Sequence, residues 1–105
     1  MVVIVEDFLI SKLVRTVLQK KGYSTAVAGP AEAATLLRAH PDAGLLVTNC
    51  PGIFVEFART VPLLYLTSSP DPLLKCFFRS CRVVCKPFAP EALVKAVEEL
   101  EAMEG

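Results

Sequence analysis

The chain has 105 residues, 53% of them hydrophobic and 21% charged, which suits one domain around one core and is too short for two. Its 11 Lys and Arg residues balance 11 Asp and Glu residues, so no net field steers it towards nucleic acid or an anionic membrane, and direct nucleic-acid binding is not expected. No apolar run approaches the roughly 18 residues of a spanning helix, and the opening Met1-Val2-Val3-Ile4-Val5-Glu6-Asp7 lacks the basic region of a signal peptide, so a cytoplasmic location is expected.

Five short β-rich runs alternate with helical patterns. Val2 to Val5 is continuously apolar and β-branched, as a strand covered on both faces should be. A helix follows with Leu9, Leu13 and Val17 at spacing four and Val14 and Leu18 beside them, closing at Lys20-Lys21-Gly22, where cations suit the dipole and glycine suits the C-cap. Tyr23 to Ala28 is the second run. After Gly29-Pro30 a helix is expected from about Ala31 to Ala39, stopping before His40-Pro41. Gly44 to Thr48 is the third run, and Ile53 to Thr60 is a short, poorly periodic helical segment. Pro62 to Thr67 is the fourth run, followed from Asp71 or Pro72 by a helix with Leu74, Phe77, Phe78 and Cys81 on one stripe. Arg82 to Cys85 is the fifth, and a last helix from Glu91 to about Ala102 buries Leu93, Val97 and Leu100.

Strands separated by helices cannot pair as hairpins, so the expected fold is α/β: one open, doubly wound parallel sheet with right-handed crossovers, over residues 1–105. The four cysteines, Cys50, Cys76, Cys81 and Cys85, form no Cys-x-x-Cys pair. They read as small core hydrophobes, in preference to a metal site or a disulfide. The single histidine, His40, reads as a surface residue.

In such a sheet ligands sit beyond the carboxyl ends of the strands. The residues that follow the runs are Glu6 and Asp7, then Asn49, then Thr67 and Ser68, then Lys86 and Pro87. Paired carboxylates with a further oxygen donor suit a hard cation such as Mg²⁺. A hydroxyl and a lysine opposite them suit a phosphoryl group. Taken alone, Glu6-Asp7 also suits an N-cap and first-turn acid pair for the first helix.

These strand ends resemble the receiver domain of two-component response regulators. The acidic pair closes the first strand, "VTNCP" stands where the family has an Asp and then often Met-Pro, Thr67 closes the fourth strand, and Lys86-Pro87-Phe88 closes the fifth. The resemblance covers essentially the whole chain. It implies a flavodoxin-like (βα)5 domain with strand order 2-1-3-4-5. It places Glu6 and Asp7 on the metal-binding acids, Asn49 on the phosphoacceptor, Thr67 on the hydroxyl that moves to bond the phosphoryl group, and Lys86 on the lysine that pairs with the acceptor.

Three departures alter that expectation. Asn49 has no carboxylate and cannot form an acyl phosphate by nucleophilic attack. Only 17 residues lie between Asn49 and Thr67, so a shortened third helix is expected. The family's switch aromatic, three residues before the lysine, is here Val83.

An amide in place of a carboxylate removes one negative charge and weakens the attraction for Mg²⁺, so no cofactor is expected beyond a weak or vestigial Mg²⁺ site. A polar network is expected instead, with the Asn49 NH₂ bonded to Glu6 or Asp7 and Lys86 bonded to a carboxylate. The expected role is non-enzymatic: a receiver-like signalling module that acts by phosphorylation-independent contact with a protein partner or a second copy. The family's usual partner face is the fourth helix, fifth strand and fifth helix, and here it would present Leu73, Phe77, Val83 and Val84. The competing arrangement packs Phe77 and Phe78 inward. If Asn49 replaced an original Asp, the same frame would read as a conventional phosphorelay receiver. A redox or metal sensor built on Cys76, Cys81 and Cys85 is the third reading.

Overall fold

The computed structural model describes residues 1–40, 44–69 and 78–104. Its five strands are β1 (Val2–Val5), β2 (Thr25–Val27), β3 (Leu45–Thr48), β4 (Leu63–Thr67) and β5 (Cys81–Cys85). They form one parallel sheet in the order β2-β1-β3-β4-β5. The helices are α1 (Phe8–Lys20), α2 (Pro30–Ala39) and α3 (Pro90–Glu104), with a 3-10 helix over Pro51–Phe57. This is the flavodoxin-like doubly wound α/β fold, and the segment after β3 is the shortened third helix. The helix expected from Asp71 or Pro72, with Leu73, Leu74, Cys76 and Phe77, lies outside the described residues. Among the described residues no helix is long and apolar enough to cross a membrane.

Strand alternation divides the core between the two faces of the sheet. Val2 and Ile4, Leu45 and Val47, and Leu64 and Leu66 meet Val14 and Leu18 of α1 and Leu93, Val97 and Leu100 of α3 on one face. Val3, Val5, Leu46, Leu63 and Tyr65 meet Ala33 and Leu37 of α2 and Phe54 and Phe57 of the 3-10 helix on the other. A strand buried on both sides has no polar face, which is why β1 and β3 read as continuous apolar runs. Side chains of odd and even number along each strand therefore belong to different layers.

The helix ends have local causes. Asp7 is the N-cap of α1, and its Oδ1 accepts from the Ile10 amide at 3.0 Å. At the other end Gly22 takes a φ of +91°, the left-handed conformation that lets the chain leave the helix and that a Cβ would disfavour. Pro30 occupies the first turn of α2, where a missing N–H costs nothing. The 3-10 helix starts at Pro51 and is interrupted at Phe54, whose φ of −116° and ψ of 22° are not helical. Arg38 clamps this helix to α2 by hydrogen bonds of 3.1 and 2.6 Å to both carboxylate oxygens of Glu56, its guanidinium 5.9 Å from the centre of the Phe57 ring.

The stripe on α1 differs from the expected one. Val14 and Leu18 are buried, but Leu9 is 74% exposed and Leu13 41%. The third member of the buried stripe is Ser11, whose hydroxyl donates to the Glu6 carbonyl at 3.0 Å. A serine with its hydroxyl satisfied can enter the core, and it turns the helix so that Leu9 and Leu13 face outward. The expected element bounds at β2, β5, the 3-10 helix and α3 shift by one to three residues, as frayed ends do.

Candidate functional site

The carboxyl edge of the sheet gathers the residues singled out above. β1 and β3 pair Val5 with Thr48, so the next residues, Glu6 and Asn49, leave the sheet side by side. β4 and β5 pair Thr67 with Cys85, so Ser68 and Lys86 leave it together. Lys86 reaches back across the ends of β4 and β3 and places its Nζ 2.7 Å from Oε2 of Glu6.

That pair is the electrostatic centre of the crevice. The Glu6 side chain is fully buried and the Lys86 side chain is 22% exposed. Oε1 of Glu6 accepts from the Asp7 amide at 3.0 Å. Oε2 is buried without a hydrogen bond of good geometry, so its partner is the ammonium charge itself. The expected bond from Lys86 to a carboxylate is therefore present.

Asn49 departs from expectation. It is exposed, and among the described residues its side chain makes no hydrogen bond to Glu6 or Asp7. The physical reason is that both acids are already engaged: Glu6 by Lys86 and the Asp7 amide, and Asp7 by the first turn of α1. The network closes without the amide. Both readings of the acid pair hold in part, since Asp7 caps a helix and Glu6 faces the crevice.

The neighbouring hydroxyls are turned inward to the backbone. Thr67 Oγ1 accepts from the Ser69 amide at 3.0 Å, and Thr48 Oγ1 accepts from the Cys50 amide at 3.1 Å and lies 3.3 Å from the Cys50 thiol. Thr48 is fully buried and holds the turn on which Asn49 sits. The pattern of strand ends passes over Thr48 and Ser11, because neither follows a strand. Their only trace is a hydroxyl two or five residues from the backbone group it bonds, a local side-chain contact.

The donor set fits a tightly held divalent cation poorly. Among the described residues no three His, Cys, Asp or Glu side chains form a cluster able to hold a metal. One Asp7 oxygen is committed to Ile10, and a cation at Glu6 would have to displace the Lys86 ammonium.

The partner-face residues separate. Val83 is partly buried against the α2 side of the core. Val84, one residue on, points to the other layer and is 8% exposed, packed in the cluster that includes Val97 and Leu100. Strand alternation turns it into the core on the α3 side, where its edge lines the cleft between β5 and α3. Leu73 and Phe77 lie outside the described residues. Phe78, the other half of the competing arrangement, is buried.

The cysteines also need correction. Cys50 and Cys81 are partly buried, but Cys85 is exposed at the carboxyl end of the edge strand, where cover thins. Cys76 lies outside the described residues.

No protein-family model matches the chain, and no curated protein matches it. Solved structures match it over nearly its whole length. The chemotaxis response regulator CheY4 of Vibrio cholerae is 23% identical, with a TM-score of 0.77 over 94% of this chain and 97% of that one. A response regulator receiver domain protein from Bacillus halodurans C-125 is 20% identical, with a TM-score of 0.70 over 94% of each chain. At these identities the likeness establishes the fold, which is that of response-regulator receiver domains.

Proposed function

We propose that the chain is a receiver-like signalling module that takes no phosphoryl group at Asn49 and acts by phosphorylation-independent contact with protein partners. The observation that carries this reading is the state of the crevice. The position beside Glu6 holds an amide, which has no carboxylate oxygen to attack phosphorus. Lys86, the cation that would meet an incoming phosphoryl group, is already bound to buried Glu6. Thr67 Oγ1 is held by its own turn. Val83 supplies no aromatic ring to report a change at Thr67. Any Mg²⁺ binding is weak, and the module has no catalytic residue of its own.

The contact face on this reading includes Val83 at the edge strand and a shallow cleft of about 410 Å³ between β5 and α3, lined in part by Arg82, Phe88 and Lys95. The test is mass spectrometry after incubation with acetyl phosphate and Mg²⁺. The mass of the protein stays unchanged, whereas Asn49→Asp gains one phosphoryl group. A phosphoryl group on the unaltered chain would overturn the reading.

A further inference from the structure

We infer that the face formed by α1 and α3 is a two-fold interface between copies of this chain, distinct from the β5 edge and independent of the chemistry of the crevice. The first observation is the apolar stripe that α1 withholds from the core. Leu9 is 74% exposed and Leu13 41%, and Leu13 and Val17 line a groove of about 600 Å³ whose other wall is α3, with Val94 at its floor. Leu9 continues the stripe one turn towards the helix start.

The second observation is the charge on the two walls. On the α1 wall the charged lining residues are Lys20 and Lys21, both exposed. On the α3 wall the charged lining residues are Glu91 and Glu98, with the single Lys95. One wall is basic and the other acidic. Among the described residues the ion pairs are Arg38–Glu56, Arg82–Glu99 and Lys86–Glu6, none of which crosses the groove.

That pattern is self-complementary under one symmetry operation. α1 and α3 both start at the carboxyl edge of the sheet and lie on the same face, so they run side by side in the same sense. A two-fold axis along the groove lays α1 of each copy on α3 of the other, setting Lys20 towards Glu98 in both halves at once. An axis across the groove would oppose basic with basic and acidic with acidic, and charge disfavours it. The contact joins Leu9, Leu13 and Val17 at the centre to a rim of paired charges, the usual anatomy of a specific interface.

The test is sedimentation velocity of the full chain over a concentration series. A monomer–dimer equilibrium is expected, weakening as salt rises. Lys20→Glu or Glu98→Lys alone should raise the dissociation constant at least about tenfold, and the double exchange should restore most of the affinity. Leu13→Glu should abolish the dimer while leaving the circular dichroism spectrum unchanged. A monomer at every concentration overturns the proposal. So does a dimer that survives both single reversals, or one lost with Val83→Glu, which would place the contact on β5.

Discussion

The Lys86 ammonium at the end of β5 lies 2.7 Å from a buried oxygen of Glu6 at the end of β1. This contact ties the two distant strands across the crevice and gives buried Glu6 a compensating charge. Removing one partner strands a charge in a dry site, whereas removing both does not. Lys86→Met should therefore destabilise the fold by about 2 kcal/mol, less than a fully buried pair would because Lys86 is partly solvated. Glu6→Gln combined with Lys86→Met should recover most of that loss. Urea denaturation of the three proteins measures both effects, and equal losses in the single and double variants would contradict the pairing.

Asn49 is exposed, and its side chain makes no hydrogen bond among the described residues, so changing it should hardly disturb the fold. Asn49→Asp without cation should alter stability by less than about 1 kcal/mol. With Mg²⁺ the outcome differs, because a new carboxylate next to Glu6 and Asp7 gives the cation a charge to bind. The melting temperature of Asn49→Asp should rise with Mg²⁺ concentration and that of the unaltered chain should change little. Identical Mg²⁺ responses would show that Asn49 does not stand beside the acids.

The 3-10 helix shows how sharply burial divides neighbours. Phe54 is 1% exposed, while Ile53 is 54% and Val55 53% exposed. Phe54→Ala should cost about 3–5 kcal/mol through lost burial and the cavity left behind. Ile53→Ala and Val55→Ala should each stay within about 0.5 kcal/mol. Thermal denaturation separates the two outcomes.

At alkaline pH the weak point is Tyr23. Its hydroxyl donates to Glu101 of α3, and that hydrogen bond, followed by burial and the charges of Glu101 and Glu98, pushes the phenol up to about 12. A pKa raised on folding contributes stability that is complete below the ordinary value of 10.0 and is lost as pH rises to about 12. Denaturation midpoints should fall across that window, and Tyr23→Phe should flatten the decline. On the acid side the hydrogen bond from Arg38 holds Glu56 below its ordinary range. That contribution is present above the ordinary carboxylate range and fades as pH falls through the lowered value.

Much of this architecture is legible in the sequence. β1, β3 and β4 are apolar on both faces, so their runs stand out, and the crevice residues follow from where those runs end. What escaped notice was polar burial. Ser11 occupies a core position because its hydroxyl has a carbonyl to bond, and hydrophobic periodicity counts it as a gap, which misdirected the reading of Leu9 and Leu13. The family's usual partner face puts Val84 on a surface, yet alternation packs its side chain against α3. Donor capacity puts Asn49 in a network that Glu6, Asp7 and Lys86 close without it, since capacity shows which bonds are available and not which are already taken.

Asp7 has a double employment with a consequence of its own. Its carboxylate starts a helix, a service worth about 1 kcal/mol that does not depend on any chemistry in the crevice. Drift that erodes phosphotransfer would still be resisted at this position. An acid in this place is therefore a poor guide to what the crevice binds, because the cap alone accounts for it.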